Sequence, residues 1–175
     1  QAGIANVWIQ PAAGDAGGAL GAALSAYHLH LGQPRTVKPG QDAMQGALLG
    51  PEFSQADIRG RLRALGARFE ELEDDEILEA TAQALSEGKA VGWFQGRMEF
   101  GPRALGTRSI IGDARSPKMQ ETMNLKIKFR ESFRPFAPST LAEKVSEYFE
   151  IDRESPYMLL VAPVKREILR ELTDE

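Results

Sequence analysis

An α/β fold is the class this sequence predicts, on three observations. Short apolar runs such as "KAVGWF" (89–94) alternate along the chain with longer segments of helical period. Glycine or proline stands at most junctions between them. No internal repeat and no low-complexity segment interrupts the alternation.

Taken in order, "NVWIQ" (6–10) reads as a short buried strand, and the Gly-rich "PAAGDAGG" after it as a turn. An Ala/Leu-rich helix is expected from about Gly18 to Leu31, with Gly32 as its stop. Residues 32–51 contain Pro34, Pro39 and Pro51 and no sustained period, the pattern of a linker at a domain boundary. Ser54 is placed to cap a helix over 55–66, with Asp57 in the capping-box position. "ARFEEL" (67–72) reads as a strand. The next helix begins at Asp74 or Asp75, is apolar at Ile77, Leu78, Ala82 and Leu85, and ends at Gly88. "KAVGWF" and "RSIIGDAR" (108–115) read as strands. Ser116 and Pro117 open a helix through Lys128. "FRPFAPSTL" (133–141) must be extended, because proline disfavours helix in the residue before it. A helix over 142–150, a strand over 156–164 and the beginning of a helix at 165–172 complete the expectation.

The chain has no cysteine, which excludes disulfides, zinc–thiolate sites and thiol nucleophiles. No apolar run reaches the length of a membrane span and no signal peptide is visible, so a cytoplasmic protein without a membrane partner is expected. Net charge is −4, unevenly spread. Residues 1–88 carry 6 basic and 12 acidic side chains, residues 89–134 carry 10 and 4, and residues 135–175 carry 5 and 9. A cationic island in an acidic chain suggests a local anion site rather than a nucleic-acid coat.

The island is built around "GRMEFGPRALGTRS" (96–109), with Arg97, Arg103 and Arg108 among three glycines and a proline. Arginine offers a planar fork to phosphate or carboxylate, and glycine lets backbone N–H groups approach an anion. "KIKFRESFRPFAP" adds Lys126, Lys128, Arg130 and Arg134. On a strand Lys126, Lys128 and Arg130 would share one face, and two paired extended segments would converge their cations on one pocket. The alternative is a set of separate salt bridges to Glu99, Glu121 and Glu131. The turn "PAAGDAGGALG" could hold phosphate at its helix N-terminus, with Asp15 available to a metal or a nucleotide hydroxyl, although it lacks the lysine of a Walker loop. His28 and His30 fall on different helix faces and make no metal pair, and no serine has the neighbours of a hydrolase triad.

"GWFQGRMEFGPRALGTRSIIGDAR" followed by "MNLKIKFRESFRPFAPSTL" closely resembles the C-terminal region of the O-carbamoyltransferases of the nodulation-protein and cephalosporin/aminoglycoside type. The resemblance is strong over about 86–163, and "IQPAAGDAGGALGAAL" looks like the end of that family's preceding, actin-like ATPase-fold domain. It implies a remnant of that carbamoyl-transfer domain at 1–31, a linker at 32–51, and a truncated YrdC-like mixed α/β domain at 52–175. It further implies that ATP with Mg2+ and carbamoyl phosphate give carbamoyl adenylate and pyrophosphate. The carbamoyl group would then pass to a hydroxyl of a sugar or other small molecule at an iron site in the actin-like domain. Arg103 and Arg134 match the motif arginines for carbamoyl phosphate, in catalytic roles. Lys128 and Arg130 match the nucleotide-phosphate positions. Arg97 and Arg108 share the motif and can instead brace its loops through carboxylates such as Glu99. Asp15 matches the aspartate that completes the metal site in the full-length protein. A homodimer is a further expectation. Two other readings stay open: a threonylcarbamoyl-adenylate enzyme linked to tRNA modification, and a non-catalytic anion-binding module.

Overall fold

The computed structural model describes residue 3 and residues 7–170. The described chain is mixed α/β. Helix α1 spans Asp15–Ser25 and runs on through a π-turn at Ala26–His30; α2 spans Gln55–Ala64 and α3 Asp74–Ser86. Strands β1 (Val91–Phe94) and β2 (Arg108–Ile111) follow, then α4 (Met119–Thr122), continued by a π-turn at Met123–Lys128, and α5 (Val145–Tyr148).

Local chemistry accounts for the helix ends. Ser54 Oγ accepts the N–H of Asp57 at 3.1 Å, while Asp57 Oδ2 accepts the N–H of Ser54 at 3.4 Å, so the capping box forms as the sequence implies. Glu73 and Glu76 make the same exchange at the start of α3, and Gly88, at φ +75°, ends that helix in the left-handed region. Helix α1 begins at Asp15, three residues before the predicted Gly18, which places an acidic side chain in its first turn.

The two strands pair antiparallel, with Val91 opposite Ile111 and Phe94 opposite Arg108. They are the only strands among the described residues. The arginine-rich stretch is therefore the connection of a β-hairpin, residues 95–107. Helix α3 packs on β1.

Several predicted elements are corrected. Residues 7–10 are not a strand: Val7 and Trp8 are each 77% exposed, with no pairing strand among the described residues, and Asn6 lies outside them. Residues 67–72 likewise lack a partner and stay irregular. Residues 156–164 form only an isolated bridge, where Val164 faces Phe149, and no strand; Met158 sits at φ +52°, which breaks an extended run. The helix expected over 142–150 splits into a 3₁₀ turn and the four-residue α5, and 165–172 gives one 3₁₀ turn, Arg166–Ile168, with 171 and 172 outside the described residues. The helix expected from Ser116 begins at Met119, after a turn in which Met119 N–H reaches the Ser116 carbonyl at 3.2 Å. It then widens into the π-turn, so Lys126 and Lys128 lie on a helical turn and not on a strand face. Phe129, at φ +50° and ψ +50°, ends it.

Burial is sparse. Pro11, Ala47, Met119 and Met123 are the buried apolar side chains among the described residues. The accessible surface is 14665 Å². A compact monomer of 19.2 kDa would expose about 8,400 Å². Leu29, Leu65 and Val161 are 82%, 81% and 100% exposed, so much of the apolar sequence pattern has no partner among the described residues. The isolated 175-residue chain is therefore expected to bind a hydrophobic dye strongly and to associate with rising concentration in sedimentation velocity. A dye-silent monomer across the concentration range would contradict the exposed surface.

Candidate functional site

The hairpin connection is held by one buried carboxylate. The Glu99 side chain is fully buried. Its Oε1 accepts the N–H groups of Leu105 and Thr107, each at 2.8 Å, and its Oε2 accepts Nε–H of Arg108 at 2.9 Å. The Arg108 guanidinium then donates through Nη2 to the carbonyls of Gly101 and Arg103. Burial alone would push the Glu99 carboxyl up; the N–H donors of Thr107 and Leu105 outweigh it and hold the group down at about 2.

Two other segments fix this loop from outside. Met98 N–H reaches the Pro51 carbonyl at 3.0 Å, Gly50 N–H reaches the Met98 carbonyl at 2.9 Å, and Phe100 N–H reaches the Ala47 carbonyl at 2.6 Å. Arg97 joins the same seam, donating to the Gly50 carbonyl at 2.8 Å and to Glu52 at 2.9 Å. On the other side Gly101, at φ +109°, packs so closely on Ala12 that a Cβ there would lie 2.7 Å from Ala12 Cβ. The two Gly-rich stretches of the sequence thus meet.

The second cationic segment is organised by Asn124, which is 0% exposed. Its Nδ2 donates to the carbonyls of Ser132 at 2.9 Å and Arg134 at 2.8 Å, and its Oδ1 accepts Nε–H of Arg130 at 2.6 Å. Arg130 also lies over the Phe136 ring, 4.9 Å from its centroid. The β2 end packs on this region through Gly112, where a Cβ would come within 2.6 Å of Met123 Sδ.

The predicted site residues therefore divide. Arg97 and Arg108 are committed to Glu52 and Glu99. Arg134 pairs with Glu131 at 2.9 Å, with both side chains half-exposed. Arg130 is braced through Nε alone. Arg103, Lys126 and Lys128 are exposed and carry no side-chain hydrogen bond or ion pair among the described residues. The strand pairing that would have converged the two cationic segments does not form, since 123–128 is helical. Asp15 is exposed in the first turn of α1. Among the described residues no three His, Asp or Glu side chains stand together to hold a metal, and Asp15 alone does not make an iron site. Asn124 was not singled out from the sequence, since a neutral side chain inside a helical run carries no charge signal. Nor is any helix among the described residues long and apolar enough to cross a membrane.

A hairpin loop is braced by a buried acid and a cation-bearing turn by a buried amide, and Arg103, Lys126 and Lys128 are left exposed. Residues 82–174, just over half of the chain, match the family described as "Carbamoyltransferase C-terminus", and the chain belongs to that family. It is 58% identical over 172 residues to an uncharacterized protein of Synechocystis, covering 97% of this chain and 28% of that protein. It is 41% identical to the nodulation protein NolNO of Sinorhizobium fredii, over 96% of this chain and 25% of that protein. It is 33% identical to the 3'-hydroxymethylcephem-O-carbamoyltransferase of Streptomyces clavuligerus, over 94% of this chain and 29% of that protein. The chain thus spans between a quarter and a third of the length of these relatives.

The Glu99 geometry has a pH consequence. A carboxyl lowered on folding stabilises the fold above its unfolded value, near 4.5, and that contribution is lost as pH falls through about 2. The shift corresponds to about 3 kcal/mol at neutral pH. Glu99→Gln should cost on that order in urea unfolding at pH 7, and its stability curve should converge on that of the unsubstituted chain near pH 2. A constant offset at every pH would mean that the carboxylate charge is not what holds the loop.

Proposed function

We propose that this chain is the adenylate-forming part of an O-carbamoyltransferase. The observation that carries this reading is the division of the cations. Arg108 is neutralised inside the loop and Arg97 pairs with Glu52 at its edge, while Arg103, Lys126 and Lys128 face solvent without a protein partner among the described residues. A loop braced by its own carboxylate that still presents an unpaired guanidinium suits a phosphate-bearing ligand.

The reaction joins two polyanions. Carbamoyl phosphate loses phosphate to water and leaves carbamate. A carbamate oxygen then attacks the α-phosphorus of ATP, and pyrophosphate departs from that phosphorus. Arg103 and Arg134 would hold the carbamoyl donor, and Lys128 and Arg130 the nucleotide phosphates, with Lys126 adding to the local positive potential. Magnesium accompanies the triphosphate and offsets part of its charge. Fixed cations lower the repulsion between the reactants and stabilise charge developing at phosphorus. On this reading residues 52–175 belong to a YrdC-like domain, 32–51 to a linker, and 1–31 to an actin-like domain in which Asp15 serves the transfer step. The acceptor is a hydroxyl-bearing small molecule; the nodulation and cephem names of the relatives support that class. A cytoplasmic enzyme, paired with a second copy, completes the proposal.

The test belongs in the family-length protein. Labelled pyrophosphate should exchange into ATP when carbamoyl phosphate is supplied without acceptor. Arg103→Ala should lower that exchange roughly a hundredfold, the effect of losing about 3 kcal/mol of transition-state stabilisation. Asp15→Ala should keep the exchange and lose carbamoyl transfer. Exchange that requires threonine and bicarbonate in place of carbamoyl phosphate would replace this reading with threonylcarbamoyl-adenylate chemistry. No exchange with either donor would leave a binding module.

A further inference from the structure

We infer that Asn124 is a positioning residue of the anion site, acting through Arg130 and the carbonyls of residues 132–134; the inference rests on the reading that these cations hold nucleotide phosphates. A turn that carries cations also carries backbone carbonyls, and carbonyl oxygens aimed outward repel an anion as surely as the cations attract it. In this turn three successive carbonyls are claimed from the helix side. Asn124 Nδ2 donates to those of Ser132 and Arg134, and Gln120 Nε2 to those of Phe133 at 3.2 Å and Arg134 at 3.1 Å. Gln120 and Asn124 are four residues apart along the α4 segment, so both carboxamides reach the same side.

The amide oxygen does a second job. Asn124 Oδ1 takes Nε–H of Arg130, and the Asn124 carbonyl takes Arg130 N–H at 3.0 Å. With Nε held and one face on Phe136, the guanidinium is fixed in direction, and its two Nη groups have no partner among the described residues. Both donors of the Asn124 carboxamide are used, and its oxygen is used by a cation. A carboxylate of the same size would keep the Arg130 contact but turn an oxygen toward the Ser132 and Arg134 carbonyls. It would also cancel the charge that Arg130 presents.

The experiment compares wild type, Asn124→Asp and Gln120→Ala in the family-length protein, reading KM for ATP, KM for the acceptor and kcat, with melting temperature alongside. Asn124→Asp should raise the KM for ATP at least tenfold while the KM for the acceptor stays within twofold. Gln120, being exposed, can be truncated without threatening the fold, and Gln120→Ala should move the KM for ATP in the same direction by a smaller factor. If Asn124→Asp does not fold, the Gln120→Ala ratio alone decides. A fall in melting temperature with the KM for ATP unchanged in the variants would show that the amides serve the fold only and would overturn the inference. Wild-type protein without saturable ATP dependence would overturn both the inference and the functional reading beneath it.

Discussion

A carboxylate buried inside a cationic loop is the constraint on which the rest of this structure depends. Strands of four residues do not by themselves fix a connection of thirteen. Gln95 N–H reaches the Thr107 carbonyl at 2.9 Å and extends the ladder by one step, and beyond that the backbone has no regular partner. Glu99 supplies the missing order from within, taking two loop N–H groups and the Arg108 guanidinium. Arg108 Nη2 donates on to loop carbonyls, so one ion pair ties the end of the loop to its middle. A buried carboxylate without those donors would protonate or unfold the loop; with them it stays ionised far below neutral pH. The position of Arg103 follows, because its own carbonyl lies in the network while its side chain does not.

The loop also gathers segments distant in sequence. The 47–52 stretch binds it through backbone hydrogen bonds, and the turn at Ala12 seats against Gly101. Residues 42–46 are tied in turn to the far end of the chain: the Tyr157 hydroxyl bonds Asp42, and Gly46 N–H bonds the Tyr157 oxygen at 3.1 Å. That phenol bond holds the Asp42 carboxyl below its usual range. These ties are polar and local. They order the loop's surroundings without building a large apolar core, which fits a surface well in excess of that of a compact monomer.

What could be read from the sequence was what local chemistry decides. The capping box at Ser54, the acidic start of α3 and the stop at Gly88 all depend on residues within one turn of each other. The hairpin strands were legible because each apolar run found the other across a loop. Residues 7–10, 67–72 and 156–164 have the same strand-like composition and form no strand, because a strand exists only where a partner is present. The alternation of Lys126, Lys128 and Arg130 misled for a related reason: its period of two fits a strand, yet the buried Met119, Met123 and Asn124 keep the segment helical up to Phe129. In the site, the arginines were visible as charges. That Arg97 and Arg108 could brace the loop through carboxylates was legible as an alternative; that the bracing acid is the buried one was not. Glu99 differed from Glu121 and Glu131 only by its place inside the loop.

The two anchors differ in charge, and the difference has a physical logic. Glu99 faces a guanidinium whose work is internal, so neutralising Arg108 removes nothing from the surface. Asn124 faces Arg130, whose outer edge is open, and a carboxylate there would have erased the charge it orients. A neutral oxygen fixes direction without taking the charge away. It also comes with two N–H donors, and the turn beside it has carbonyls that need them. An acid holds the loop whose arginine is structural, and an amide holds the turn whose arginine faces outward. That pairing leaves the island's free positive charge at Arg103, Lys126, Lys128 and the outer edge of Arg130.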